Sequence, residues 1–148
     1  MLSQKARYAL KSMIELGRAG SEAQLTAGEI AQRADAPRKF LEAILLELSR
    51  RQLIISRRGK LGGYSLARRA EDISFAEIIR AIDGPLALAP CVSQMAFRKC
   101  DDCDDMELCT LRPALLKTRD ATAAILEGYS LADAVREGAQ GMLQASPA

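Results

Sequence analysis

The 148-residue chain contains no histidine. That absence excludes every Ser-His-Asp and Cys-His nucleophile scheme and every histidine-ligated metal site. No apolar run approaches the ~20 residues that span a bilayer. The first 17 residues interleave Lys5, Arg7, Lys11 and Glu15 with apolar positions, so they lack the unbroken stretch of a secretory signal. Internal repeats and low-complexity segments are also missing. A cytoplasmic protein with no membrane partner is expected. Cysteine is absent everywhere but one stretch, since all four lie between Cys91 and Cys109. Disulfide scaffolds spread their cysteines through small secreted chains, whereas a cytosolic cluster points to metal or redox work.

The composition that remains, 49% hydrophobic and 27% charged, is that of a globular chain. Its length suits one domain with a real core. The net charge of +2 conceals an asymmetry. Residues 1–70 hold 14 Lys and Arg against 6 Asp and Glu, and residues 71–148 hold 7 against 13. A basic first half suits a polyanion, most simply nucleic acid, provided the fold gathers the charges on one face.

Apolar periodicity predicts a helix from Ser3 to about Ala19, with Ala6, Leu10, Met13 and Gly17 on one stripe. Thr26-Ala27-Gly28-Glu29 is a capping box that opens a short helix to about Ala34. Asp35 and Pro37 mark another start. The helix from there to about Arg51 buries Leu41, Ile44, Leu45 and Leu48. Leu53–Arg57 and Tyr64–Leu66 read as strands around Gly59, Gly62 and Gly63. Three helices followed by a two-stranded hairpin make a winged helix-turn-helix. The fold class expected is therefore mainly α with a small β-hairpin wing.

Ser74-Phe75-Ala76-Glu77 is a second capping box, and its helix ends at Gly84-Pro85. The cysteine segment shows no clear period. A helix then runs from Leu111–Pro113 to about Gly128. Its stripe of Leu111, Leu115, Thr118, Thr122, Ile125 and Tyr129 has coiled-coil-like spacing, with Ala114 and Ala121 alongside. That spacing fits a partner helix or packing within the domain equally well. Ser130 opens a last short helix. The organisation expected is a DNA-binding domain at 1–84, a cysteine loop at 85–110, a helical segment at 111–140 and a flexible tail at 141–148.

In a helix-turn-helix the second helix enters the major groove with its N-terminal residues toward the bases. Here those are Pro37, Arg38, Lys39 and Glu42. Arg38 and Lys39 suit guanine edges or phosphate. Glu42 suits cytosine, and phosphate would repel it. The alternative is that Glu42 merely pairs with Arg38 or Lys39 on a solvated face. Arg57, Arg58 and Lys60 sit on a narrow glycine-rich tip of the size that enters a minor groove. The cysteines are spaced Cys91-x8-Cys100-x2-Cys103-x5-Cys109, with Asp101, Asp102, Asp104, Asp105 and Glu107 among them. Four thiolates complete a tetrahedral zinc site or hold an iron–sulfur cluster. Only Cys100 and Cys103 form the tight knuckle that zinc ribbons use in pairs. The acidic neighbours disfavour free thiolates and argue against a nucleophilic cysteine. Neither a phosphate-cradling loop ahead of a helix nor a nucleophile with its base is present, so no enzyme is expected.

Lys5-Ala6-Arg7-Tyr8-Ala9-Leu10, the wing Arg57-Arg58-Gly59-Lys60-Leu61-Gly62-Gly63-Tyr64-Ser65-Leu66-Ala67, and Ala76-Glu77-Ile78-Ile79-Arg80-Ala81-Ile82-Asp83-Gly84 before a cysteine loop resemble the IscR, NsrR and RirA type of bacterial regulators. The resemblance covers residues 1 to about 135. It implies a homodimeric transcription factor on a palindromic operator in double-stranded DNA. Leu111–Gly128 would be its long C-terminal dimerisation helix, and Arg58 and Glu42 would touch DNA. It also implies an iron–sulfur cluster, 2Fe–2S or 4Fe–4S, on Cys91, Cys100, Cys103 and Cys109, controlled by redox state, nitric oxide or iron supply. Structural zinc and a thiol–disulfide switch are the alternatives. The chain departs from relatives that use three cysteines and an outside ligand. Arg112 stands where some place a histidine, and Arg7 where some place a partner's aspartate. The fourth ligand is then most simply a cysteine of the same loop.

Overall fold

Capping side chains set four of the six α-helix starts among the described residues. In the computed structural model, which describes residues 2–145, α1 (Gln4–Ala19) begins where the Ser3 hydroxyl accepts from the Ala6 N–H at 3.0 Å. The Ser3 N–H also donates to Asp83 at 2.9 Å, so the start of α1 is stapled to the end of α4 (Phe75–Asp83). The two predicted capping boxes both form. Thr26 and Glu29 open α2 (Ala27–Arg33), and Ser74 and Glu77 open α4. Asp35 takes a left-handed φ of 49° and turns the chain from α2 into α3 (Arg38–Arg50). The core is built by α1 through Ala9, Leu10, Met13 and Leu16, and by α3 through Leu41, Ile44, Leu45 and Leu48. Ile78 and Ile79 of α4 close it.

The exit of α3 carries a Schellman motif. The Leu53 N–H donates to the Leu48 carbonyl and the Gln52 N–H to Ser49, both at 3.0 Å. Gln52 occupies the left-handed position at φ 58°, where glycine is the usual occupant. The chain then enters the hairpin of β1 (Ile54–Arg57) and β2 (Gly63–Leu66), with Ile54 opposite Leu66 and Arg57 opposite Gly63. Leu25 extends the ladder, exchanging backbone hydrogen bonds of 3.0 and 2.8 Å with Tyr64. At the tip the backbone folds back so closely that a Cβ on Gly62 would lie 2.4 Å from the Arg57 carbonyl oxygen.

After the cysteine segment come α5 (Arg112–Gly128) and α6 (Leu131–Ala145). Ser130 and Asp133 cap α6 reciprocally, at 2.9 and 3.1 Å. This cap lies beside that of α4, because Ser74 and Ser130 bridge, the Leu131 N–H donates to Ile73 at 2.8 Å and the Phe75 N–H to Tyr129 at 3.0 Å. The rings of Phe75 and Tyr129 meet edge to face at 5.0 Å. The last helix is not short. It runs 15 residues, through 141–145 of the expected tail, and 146–148 lie outside the described residues. Gly138 and Gly141 hide it in the sequence. Packing supplies what propensity lacks, since Leu131 is fully buried and Leu131 and Val135 lie against Gly17 of α1. In contrast, Ala123 is the one residue of α5 that is buried.

Gln52→Gly removes the steric cost of the left-handed conformation and leaves both backbone bonds in place. It is expected to raise the unfolding free energy by up to about 1 kcal/mol. A urea titration checks this, and an unchanged or lowered midpoint would show that the Gln52 side chain contributes more than its strain costs.

Candidate nucleic-acid interface and cysteine pocket

The first turn of α3 and the hairpin tip carry the candidate DNA-contacting residues. Pro37 is the N-cap and makes no side-chain cap, so the helix N-terminus keeps its free N–H groups. Arg38, Lys39, Glu42, Arg57, Arg58 and Lys60 are all exposed. Arg38 Nε meets Glu42 Oε1 at 3.4 Å, an i,i+4 pair open to solvent on both sides. Such a pair is worth a few tenths of a kcal/mol, so Glu42 exchanges it readily. Arg57, Arg58 and Lys60 line one side of an open cleft whose other wall holds Glu22 and Gln24. The sequence reading missed the apolar side of α3. Phe40, Ala43 and Leu46 are exposed, while the helix's other apolar residues are buried.

The four cysteines of this one stretch line a single open cavity of about 480 Å³, together with Asp102, Asp104, Asp105 and Arg112. Cys91 is buried in a 3₁₀ turn at Pro90–Val92, in a segment expected to be irregular, and the other three are half-buried. That turn is tied to the middle of α5, where Arg119 donates to the Val92 carbonyl at 2.8 Å. The Cys103 N–H donates to the Cys100 carbonyl at 3.2 Å and forms the knuckle. Among the described residues, no three cysteine or carboxylate groups converge to metal-ligand geometry.

Burial pushes the Cys91 thiol above its ordinary range. The Cys100 and Cys109 thiols add to this and Arg112 opposes it. Cys103 is raised too, by burial first and then by Cys109, with Lys99 opposing. Cys91 and Cys103 are thus biased toward the protonated thiol, a bias that a bound cation would reverse. One side of the cavity lining nevertheless brings positive charge. It is the uncapped N-terminus of α5, where Arg112 and Pro113 are the first two helical residues. The Nε of Arg112 is buried there with no hydrogen-bond partner. The Arg112 side chain lines the cavity, so its positive charge lies beside the four thiols and would favour an anionic thiolate-held centre there. As a donor set, Cys91, Cys100, Cys103 and Cys109 fit a thiolate-held metal centre, an iron–sulfur cluster or zinc. Arg7 is exposed on α1 and does not line the cavity.

Helix α5 divides its stripe. Leu115, Thr122 and Tyr129 are half-buried, whereas Leu111, Thr118 and Ile125 are exposed, the two large ones at 68% each. Ala114, Ala121 and Gly128 are exposed as well, so the outer face is an uncharged row at alternating spacings of three and four. No helix among the described residues is long and apolar enough to cross a membrane.

Residues 2–137 match the family model Rrf2, an iron-dependent transcriptional regulator. The chain is 40% identical over 141 residues to a putative HTH-type transcriptional regulator, rrf2-like, of Rhodobacter capsulatus, covering 93% of this chain and 94% of that one. The solved structure of CymR, the global cysteine regulator of B. subtilis, superposes with a TM-score of 0.75 at 28% identity. That match covers 93% of this chain and 97% of CymR. T. potens IscR shares the fold with a TM-score of 0.74 at 24% identity, covering 100% and 93%. These relatives are regulators rather than enzymes, and the hairpin is the wing of a winged helix-turn-helix. The chain belongs to the Rrf2 family of DNA-binding transcriptional regulators.

Proposed function

We propose that the protein is a homodimeric regulator whose operator binding is controlled by an iron–sulfur cluster held by Cys91, Cys100, Cys103 and Cys109. The observation that carries this reading is the single cavity lined by four thiols and by Arg112. The cavity, of about 480 Å³, is roomy enough to admit a polyatomic core. When bound, the cluster supplies a redox-active centre that also answers to nitric oxide and iron supply.

The chain's own residues carry the signal outward. Cys91 and Val92 are coupled to the middle of α5 by Arg119, and Arg112 couples the cavity to its first turn. The uncharged outer row of α5 supports a dimer contact. In a dimer the two α3 helices must sit ~34 Å apart, or a multiple, to reach successive major grooves. A small rotation of α5 would spoil that spacing. Arg38, Lys39 and Glu42 would face the bases, and Arg57, Arg58 and Lys60 the backbone or minor groove. A second reading, a reversible disulfide, is favoured by Cys91 and Cys100 lining the same cavity as free thiols.

Anaerobically purified protein is expected to be coloured, with iron and acid-labile sulfide in near-equal amounts. Its operator affinity at fixed salt should change on cluster removal. Equal affinities would refute the sensing role and leave DNA binding intact, while about one zinc per chain would make the loop a structural knot.

Arg58→Ala is expected to weaken specific binding by ~1–3 kcal/mol. Loss of the same size on all sequences would mark Arg58 as a phosphate contact instead.

Arg112→Gln deletes the positive charge beside the cavity but keeps hydrogen-bonding capacity. The loaded variant is expected to be harder to reduce than the wild type, by about tenfold in the reduction equilibrium, or 59 mV for one electron. A spectroelectrochemical titration checks it, and an unchanged potential would show that Arg112 does not face the cluster.

A further inference from the structure

Helix α3 carries a ridge that the charge-based reading of its first turn does not use. Phe40, Ala43 and Leu46 are spaced i, i+3, i+6, which stacks them in one row along the helix surface. All three are exposed, Phe40 at 63% and Leu46 at 52%. Single exposed apolar residues are ordinary on a soluble protein. Three in one row, on the helix of the basic half whose first turn holds Arg38 and Lys39, are a surface with a use. The row spans about 9 Å at 1.5 Å per residue. That length matches roughly three base-pair steps of 3.4 Å.

Resting on the DNA-binding reading above, we infer that this ridge reads thymine C5-methyl groups in the major groove, beside the base that Glu42 selects. The occupant is duplex DNA because cations border the ridge on the same helix, with Lys39 and Arg38 at its start and Arg50 beyond Leu46. Arg57, Arg58 and Lys60 extend the positive charge onto the wing. A polyanion with apolar points on its edge is the complement, and the thymine methyl is the apolar group that the major groove presents. Aromatic and aliphatic side chains take it by contact alone, with no hydrogen bond to orient. Such contacts discriminate thymine from cytosine and favour operators with short thymine runs next to the base opposite Glu42.

The test uses an operator that the full-length protein selects from random duplexes. Each thymine is replaced in turn by deoxyuridine, which removes the methyl and nothing else. The wild type is expected to lose about fourfold in affinity at two or three adjacent positions, the scale of burying one methyl group. Leu46→Ala should abolish the loss at one of them and Phe40→Ala at another. Both sites are exposed, so melting temperatures should stay at the wild-type value. Equal binding of thymine and uracil operators by the wild type overturns the inference, and so do variants that weaken both operators alike. A change in the protein's solution mass without a change in uracil discrimination also overturns it, because a second copy would then cover the ridge. If the wild type selects no sequence at all, the regulator reading falls first and this one with it.

Discussion

Helix α5 is a 17-residue helix that buries one residue of its own chain, Ala123. A helix of that length is marginal in water unless an amphipathic face is covered. Leu126 packs against the core, and the remaining supports are peripheral. Arg80 pairs with Glu127 at 2.6 Å near its end, Arg119 reaches the Val92 carbonyl from its middle, and the cysteine cavity adjoins its start. Two of its supports thus belong to the segment whose state is proposed to vary. Its outer row is uncharged and exposed. The helix that adjoins the chemistry of the cavity therefore also has little burial to resist being moved.

The DNA-binding half has the opposite character. Its core is closed by α1, α3 and α4 with fully buried aliphatic side chains, and its start is stapled from Ser3 to Asp83. The wing is fixed by Leu25 on one strand and by a backbone packed against Gly62 at the tip. Side chains that meet bases need a rigid frame, since an error of one ångström separates a hydrogen bond from none. Rigidity at the reading head and weak burial in α5 suit a protein that changes the distance between two heads rather than the shape of either.

The local parts of this design were legible in the sequence because they depend on residues three or four apart. The Thr26–Glu29 and Ser74–Glu77 boxes, the buried stripe of α3 and the Arg38–Glu42 pair all have that range. What sequence reasoning missed was set by distant packing. The length of α6 depends on Leu131 and Val135 meeting α1, against the propensity of Gly138 and Gly141. Gln52 in a left-handed conformation gives no signal, because the residue type that normally marks it is absent. The acidic loop predicted raised thiol pKa values through like charge, and burial is the larger cause. The exposed side of α3 was visible as Phe40, Ala43 and Leu46, but attention to charge passed over it.

The neighbouring caps of α4 and α6 also bear on how the chain is assembled. Ser74 and Ser130 are bridged. The intervening chain therefore returns to nearly the point where α4 begins, with α4 packed in the core and the cysteine loop and α5 carried outside it. A closed excursion of this kind can change length at little cost, since loop-closure entropy grows only with the logarithm of length. The arrangement behaves as an exchangeable cassette: cysteines could be added, respaced or removed between Gly84 and Leu111 while the junction that receives them stays the same. One scaffold could in this way acquire sensors of different chemistry without redesign of its DNA-reading surface.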